Sequence, residues 1–171
     1  MQMRIKRAIA AASVVVAAAA TGAAGLTAAG ATTAASTAAR SGTEHFQLMS
    51  TSATSNKASF IARGVFTAGG VDTENNTDHV KLPGGGFVIT HKVSKGTQHL
   101  DPKTCLGVIH QVGTYKLSKG TGRYAGIRGH GKFSLRILLI GARTSAGKCS
   151  KNKPPTTFQQ LITASGPVTL K

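Results

Sequence analysis

The last fourteen residues before the C-terminal lysine alternate between apolar and polar side chains with a period of two. In residues 157–170, TFQQLITASGPVTL, one parity carries the apolar set and the other is mostly polar. Successive side chains of a β-strand point to opposite faces, so this pattern predicts a strand with one buried face. After residue 44 no helical period is sustained. The chain is therefore restricted to strands that must share an apolar interior.

Other segments show the same alternation, among them GFVITHKV and GKFSLRILLIG, and TCLGVIHQVGTYKL reads as one long β-branched strand. Glycine, asparagine and proline turns separate these segments, which is typical of an all-β domain. About eight half-buried strands favour a closed antiparallel barrel, with a β-sandwich as the alternative. The parities predict one shared interior, formed by Phe87, Ile89, His91, Phe133, Leu135, Ile137, Phe158, Ile162 and Ala164.

The segment GTGRYAGIRGHGKF, residues 120–133, has the glycine and basic content of a phosphate-binding loop. A dinucleotide loop must open a helix and needs an acid about 20 residues later, but the chain has no Asp or Glu after Asp101. A P-loop needs Ser or Thr after its lysine, and Phe133 stands there. The glycines therefore predict a turn between two strands, with Tyr124 and Ile127 plugging the barrel end.

The same segment resembles the G-T-G-x-[FY]-x-G-[AI]-x-G signature of allene oxide cyclase and dirigent β-barrels. It looks closest to secreted actinobacterial proteins with such a domain, and ARGVFTAGG and LPGGGFVITH look like their early strands. The resemblance covers about residues 44–171. It implies an eight-stranded antiparallel barrel with an inner cavity, in a family where some members cyclise or orient apolar substrates. Those reactions use polar or acidic residues inside the barrel. No acid is predicted on an inward face here, so no catalytic residue is transferred.

The N-terminus has the pattern of a secretory signal peptide. Three basic residues precede a short apolar stretch, Ala8 to Ala20, and no charge occurs from there to Ala39. This core is too short to span a bilayer about 30 Å thick. Small-residue cleavage sites end at Ala31 and Ala39. We therefore expect residues 1–39 to be a signal peptide with a disordered Ala/Thr-rich segment, 40–44 a short tail, and 44–171 one barrel domain of a secreted, extracellular protein without a membrane anchor.

The two cysteines of the chain, Cys105 and Cys149, lie 44 residues apart. In an exported protein two cysteines pair more often than they stay free. A zinc site would need histidines at finger-like spacing, and none flank either cysteine. We predict a disulfide, and neither a metal site nor a cofactor.

The full chain carries 21 Lys and Arg against 5 Asp and Glu. Without residues 1–39 the balance is 18 against 5, a net charge of +13. Such a surface attracts polyanions, although the charges are scattered and also serve solubility. Three of the acids fall in GGVDTENNTDHVKLPGGG, residues 69–86, which is expected to be a solvated loop. Sequence-specific nucleic-acid binding is not expected, because base stacking uses exposed aromatic side chains and the chain has no Trp.

Three polar residues stand on apolar parities and are candidate ligand-binding residues: His91, His110 and Gln160. A neutral histidine inside a cavity could act as a general base, although a hydrogen-bonded core residue is the more common case for each of the three positions. Signatures of serine hydrolases, glycosidases and zinc enzymes are absent. The sequence predicts a barrel that binds a small, largely apolar ligand without demonstrable catalysis. The alternatives are a barrel cyclase or isomerase, and a cationic protein that adheres to anionic polymers.

Overall fold

A computed structural model describes residues 39–75 and 77–171, which form eight antiparallel strands closed into a barrel. The predicted all-β barrel is confirmed. The expected signal peptide lies outside the described residues. The strands are β1 Arg40–Ser50, β2 Lys57–Arg63, β3 Ala68–Thr73, β4 Asp78–Leu82, β5 Gly85–Leu100, β6 Leu106–Gly122, β7 Arg128–Ile140 and β8 Thr157–Leu170.

Each strand pairs with its neighbour in sequence, and β8 closes the barrel by pairing with β1 from Arg40↔Leu170 to Ser50↔Gln160. This continuous ladder excludes the β-sandwich alternative. Residues 40–44, expected to be a tail, are the first half of β1. The error arose because this stretch has no apolar alternation of its own, and its strand conformation depends on pairing with β8.

Aromatic rings fill the middle of the barrel. Phe46 contacts Phe60, Phe66, Phe87 and Tyr115, with ring centroids 5.5–6.5 Å apart. All of these rings are buried, and Phe60 is only 1 % exposed. Large rings bury more apolar area than other side chains, so this cluster makes a large contribution to the hydrophobic stabilisation of the barrel.

The glycine-rich segment closes one end of the barrel. It forms the turn between β6 and β7, as predicted, and buries Tyr124 and Ile127 while Arg123 and Arg128 face solvent. The turn needs left-handed backbone at Gly122, where φ is 56°. The Tyr124 ring packs on Phe66 at 5.2 Å between centroids. We call this end, with its plug of Phe66, Tyr124 and Ile127, the closed end.

Unequal strand lengths leave the opposite end of the barrel open. β4 has 5 residues and β5 has 16, and the pairing of β4 with β5 stops at Asp78↔Ile89. From Thr90 to Leu100, β5 pairs only with β6, so one edge of this segment has no strand neighbour among the described residues. Strands β5–β8 therefore extend further along the barrel axis than β2–β4 at this end. We call this side the open end.

The Cys105–Cys149 disulfide, with an S–S distance of 2.01 Å, is confirmed at the open end. It joins the turn between β5 and β6 to the long connection between β7 and β8. Cys105 is fully buried, and Gly141 donates a backbone hydrogen bond to its carbonyl oxygen at 2.9 Å. The described part of the chain contains no helix with the length and hydropathy that a membrane crossing requires.

Candidate functional site

A cavity of about 210 Å³ lies inside the barrel at the open end. Its wall is mostly apolar, and it includes six of the nine residues predicted to share the interior: Ile89, His91, Phe133, Leu135, Ile162 and Ala164. Phe87 lies deeper, in the buried core. Ile137 and Phe158 are half-buried further along the same faces of β7 and β8, above the closed part of the barrel. The predicted interior is thus confirmed in its register.

An acid–histidine pair lies at the cavity mouth. His91 Nδ1 and Asp78 Oδ2 are 2.9 Å apart, and the two side chains are 39 % and 12 % exposed. The pair forms because Asp78 on β4 lies opposite Ile89 on β5. His91 is the next inward residue of β5 after Ile89, so its side chain lies beside Asp78. The His91 ring also makes a T-shaped contact with the Phe133 ring, with centroids 5.9 Å apart. The imidazole is therefore packed against the cavity wall and stays partly accessible.

A second polar contact crosses the cavity mouth. Gln160 Nε2 on β8 donates a hydrogen bond to Glu74 Oε1 in the β3–β4 turn, at 2.6 Å. Glu74 N in turn donates to the carbonyl oxygen of Asn56, at 2.7 Å. The sequence prediction placed Gln160 inside the barrel, and the structure puts it there, 7 % exposed. Its amide nitrogen is occupied by Glu74, so this contact ties the turn across the opening.

Three acids lie inside the barrel, which the sequence prediction did not anticipate. Glu44 and Asp72 are fully buried, and Asp78 is 8 % exposed. Asp72 and Asp78 belong to the β3–β4 hairpin, in the region expected to be a solvated loop. The error has a physical reason: both strands are short, and the inward face of β3 carries only small residues beside Asp72, so its apolar signal is weak.

Burial governs the protonation of these interior groups. Desolvation, with smaller contributions from the charges of Asp78 and Glu74, raises the pKa of Asp72 to about 7, and neither of its oxygens has a hydrogen-bond partner. Desolvation also raises the pKa of Asp78, while the adjacent His91 opposes that rise. The pKa of Glu44 is raised by burial too, although its Oε2 accepts a hydrogen bond from Phe66 N at 3.0 Å. Burial in the barrel therefore favours the neutral, protonated form of all three carboxyl groups.

Tyr115 contributes its ring to the cavity wall. Its hydroxyl is buried without a partner, and desolvation, reinforced by the charge of Glu44, raises its pKa to about 12. The hydroxyl therefore stays protonated throughout the physiological pH range. Glu44, Asp72 and Tyr115 are therefore polar groups that are buried in the barrel interior.

The structure separates His110 from the other candidates. It lies on the outer face of β6, exposed, with Nε2 3.1 Å from Ser134 Oγ. The inward parity of β6 is the other one, which includes Gln111 and Tyr115. Sequence reasoning chose the wrong parity because both parities of β6 are rich in apolar residues. The true inward parity also contains glycines: at Gly113 a Cβ would lie 2.6 Å from the Phe133 ring.

The sequence did contain a signal for the acids that were missed. Glu44 has the parity of Phe46 and Leu48, and Asp78 has the parity of Val80 and Leu82. Both strands show the strict alternation of buried and exposed residues that marks an inward face. For Tyr115, the alternation with Leu117 was the corresponding signal.

The described residues, 39–75 and 77–171, contain no group of three or more His, Cys, Asp or Glu side chains that could hold a metal ion. The apolar cavity carries two polar contacts, the Asp78–His91 pair and the Gln160–Glu74 hydrogen bond, and is further lined by Asn75, Gln111 and Tyr115. Comparison with protein-family models, with curated proteins and with solved structures returned no match for this chain.

Proposed function

We propose that the protein binds a small, largely apolar molecule in the open-end cavity, with the polar group of that molecule at the Asp78–His91 pair. The observation that carries this proposal is the combination of an apolar wall with one hydrogen-bonded, partly accessible acid–histidine pair at the mouth. Ligand sites in proteins are commonly concave and apolar, with a few convergent polar groups that orient the ligand. This cavity has that composition.

The cavity volume limits the size of the ligand. An apolar cavity of about 150 Å³ accommodates benzene. The 210 Å³ of this cavity therefore suit a molecule of one or two rings, or a short branched chain. Because the mouth is open beside the unpaired edge of β5, a larger molecule can leave part of itself outside.

We also propose that the protein is exported and belongs with the allene oxide cyclase and dirigent-like barrels. The supports are the glycine-rich turn, the strand number of the closed barrel, and a disulfide of the kind that persists in oxidising compartments. The basic, then apolar N-terminal segment supports export in the same way.

Binding can be tested with indole, a neutral two-ring probe that the cationic surface does not attract. Two-dimensional NMR of the barrel should show saturable shifts for the methyl groups of Ile89 and Ile162, which line the cavity. Ala164→Leu fills the cavity and should weaken indole binding at least tenfold. His91→Ala should weaken it less, because it removes the polar contact alone.

Gln159→Leu is the matched control, because this residue is exposed on the outer face of the same strand. It should leave indole binding unchanged. The proposal is wrong if indole causes no saturable shifts, or if Ala164→Leu and Gln159→Leu have equal effects while both variants keep the wild-type fold.

A second candidate function, proton transfer in an isomerase or cyclase, is favoured by the Asp78–His91 geometry. When Asp78 is ionised, His91 Nδ1–H donates to it, and this leaves Nε2 with a free lone pair. Nε2 can accept a proton from a carbon beside a carbonyl group, and Asp78 stabilises the imidazolium that results. Return of that proton to another carbon of the ligand completes an isomerisation, and no other reactant is required.

Hydrogen–deuterium exchange tests this candidate without knowledge of the natural substrate. The protein in deuterated water should accelerate exchange at the carbon beside the carbonyl of 2-cyclohexenone, followed by proton NMR. Asp78→Asn and His91→Gln should each reduce the acceleration at least tenfold, whereas His110→Gln on the outer face should not change it. Equal rates for His91→Gln and wild type would remove this candidate and leave ligand binding untouched.

A further inference from the structure

Folding sorts the charges of this chain between the inside and the outside of the barrel. All 18 Lys and Arg side chains from Arg40 to Lys171 are exposed. Of the five acids, Glu44, Asp72 and Asp78 are buried, and Glu74 is turned toward the cavity mouth. Only Asp101 carries negative charge elsewhere, and its carboxylate caps its own turn through Lys103 N and Thr104 Oγ1. The outer surface is therefore more cationic than the sequence balance indicates.

These cations are not neutralised by neighbouring carboxylates. Within residues 39–75 and 77–171 the single side-chain ion pair is Asp78–His91, so no Lys or Arg there forms a salt bridge. A surface with one sign of charge and no internal counter-charge produces a field that reaches beyond direct contact and attracts anions. The distribution of these cations decides which anion fits.

Three of these cations, Arg63, Lys132 and Arg136, line a shallow groove on the outer face of β2, β1, β8 and β7. The strand register places one outward residue of each strand in a continuous row, Arg63–His45–Ser165–Lys132. The next row includes Thr163 and Ser134, and a second depression reaches Arg136. The hydroxyl residues Ser165, Thr163 and Ser134 lie along the floor beside apolar residues such as Ile61 and Leu161. We call this feature the outer groove.

The groove contains the donors that phosphate groups require. Hydroxyl groups of Ser165, Thr163 and Ser134 can donate hydrogen bonds, and the guanidinium groups of Arg63 and Arg136 can bind phosphate oxygens in a bidentate manner. No acidic residue lines either depression. Arg63 and Lys132 are separated by three strand spacings, roughly 14 Å at about 4.8 Å each. An extended anion along this row can contact both side chains and the hydroxyl groups between them.

We propose that the outer groove binds a linear phosphate polymer through its charged backbone. The placement of the cations favours this occupant: Arg63, Lys132 and Arg136 are spread over β2 and β7, where a polymer can contact them in turn. All eight Phe and Tyr side chains lie on inward faces or are buried, so the strongest stacking partners of nucleic-acid bases do not face the groove. The repeating charge of the backbone is therefore the feature that the groove recognises. This proposal is independent of ligand binding in the cavity.

Inorganic polyphosphate of defined length is the probe, with affinity measured by isothermal titration calorimetry at 50, 100 and 200 mM NaCl. The affinity should fall steeply as salt rises, because bound polyanions release their counterions. The triple variant Arg63→Gln, Lys132→Gln and Arg136→Gln should bind at least tenfold more weakly at 100 mM NaCl. Lys132→Gln alone should give a smaller loss in the same direction, and keeps the test usable if the triple variant folds poorly.

A second triple variant controls for net charge. Lys81→Gln, Lys119→Gln and Lys151→Gln remove the same three charges from sites outside the outer groove, and should weaken binding by less than about threefold. Equal losses in the two triple variants would overturn the groove in favour of diffuse charge. Two results would overturn the proposed occupant. One is tighter, base-dependent binding of a single-stranded oligonucleotide. The other is binding of anionic phospholipid vesicles without binding of polyphosphate. Indole binding should be the same in all these variants.

Discussion

The two ends of this barrel are built from the same eight strands and differ in what fills them. At the closed end a glycine turn folds Tyr124 and Ile127 into the interior, where the Tyr124 ring meets Phe66 and Phe87 at 5.2 and 5.9 Å. At the open end the interior is lined by half-buried Phe133, Leu135 and Ile162, and a cavity remains. The closed end contributes packing, and the open end provides room for a ligand.

Strand length produces this difference. β4 ends its pairing at Asp78, so the inner face of β5–β8 above that point faces no opposing strand, and side chains there are half-exposed. Packing density cannot reach the level of a closed interior where one wall is missing. The closed end therefore provides most of the packing, and the end with the short strand β4 provides the cavity. Variants at each end can test whether stability and binding depend on different residues.

The largest effect is expected at the aromatic cluster. Phe60→Ala should lower the free energy of unfolding by about 3–5 kcal/mol, because Phe60 is 1 % exposed and its neighbours cannot collapse into the space. Phe158→Ala, which truncates a half-buried ring at the open end, should cost less than half as much. Urea unfolding of both variants gives the comparison, and equal losses would show that the open end is packed as tightly as the core.

The disulfide should stabilise the open end by a comparable amount. The crosslink between Cys105 and Cys149 closes a span of 44 residues, worth about 4 kcal/mol in the chain-entropy treatment. The double variant Cys105→Ala and Cys149→Ala should lose up to that amount in urea unfolding. Amide exchange in the native state should rise in residues 100–106 and 141–156, and stay low in the plug at the closed end. Uniform acceleration at both ends would contradict two separable regions.

The smallest expected effect depends on pH and concerns Asp72, which lies between the two ends. Its pKa in the folded protein, about 7, is above the ordinary value of 3.8, so the folded state binds more protons than the unfolded state between these values. Its protonation therefore stabilises the fold fully below about pH 4, and this contribution is lost as pH rises through 7.

Asp72→Asn removes this dependence, because an amide is neutral at every pH. The variant should exceed wild type in unfolding free energy at pH 8 by at least about 1.4 kcal/mol, the equivalent of one pKa unit. The difference should vanish at pH 4. Ser59→Ala, an exposed residue without a titrating group on the neighbouring strand β2, is the control and should show no such trend. A constant difference between Asp72→Asn and wild type from pH 4 to 8 would mean that Asp72 stays ionised.

Individual strands show how much of the site the sequence could reveal. In β8 the alternation alone placed Gln160, Ile162 and Ala164 on the inner face, because only one parity is apolar. In β6 the same method placed His110 inside, because apolar residues occupy both parities and a glycine marks the true inner face. The β3–β4 hairpin was missed for two reasons: the inward face of β3 has only small residues beside Asp72, and β4, where Asp78 shares the parity of Val80 and Leu82, is only five residues long.

The sequence alone predicted the all-β class, the pairing of the two cysteines, the excess of basic residues and a turn in the glycine-rich segment, which spans 123–127 and not the predicted 120–131. These follow from local properties: side-chain alternation, glycine conformations and composition. The tertiary structure alone decided that acids lie inside and cations outside, that His91 meets Asp78, and that one end stays open. Each of these depends on strand register and on unequal strand lengths, and both are fixed by contacts between residues far apart in the chain.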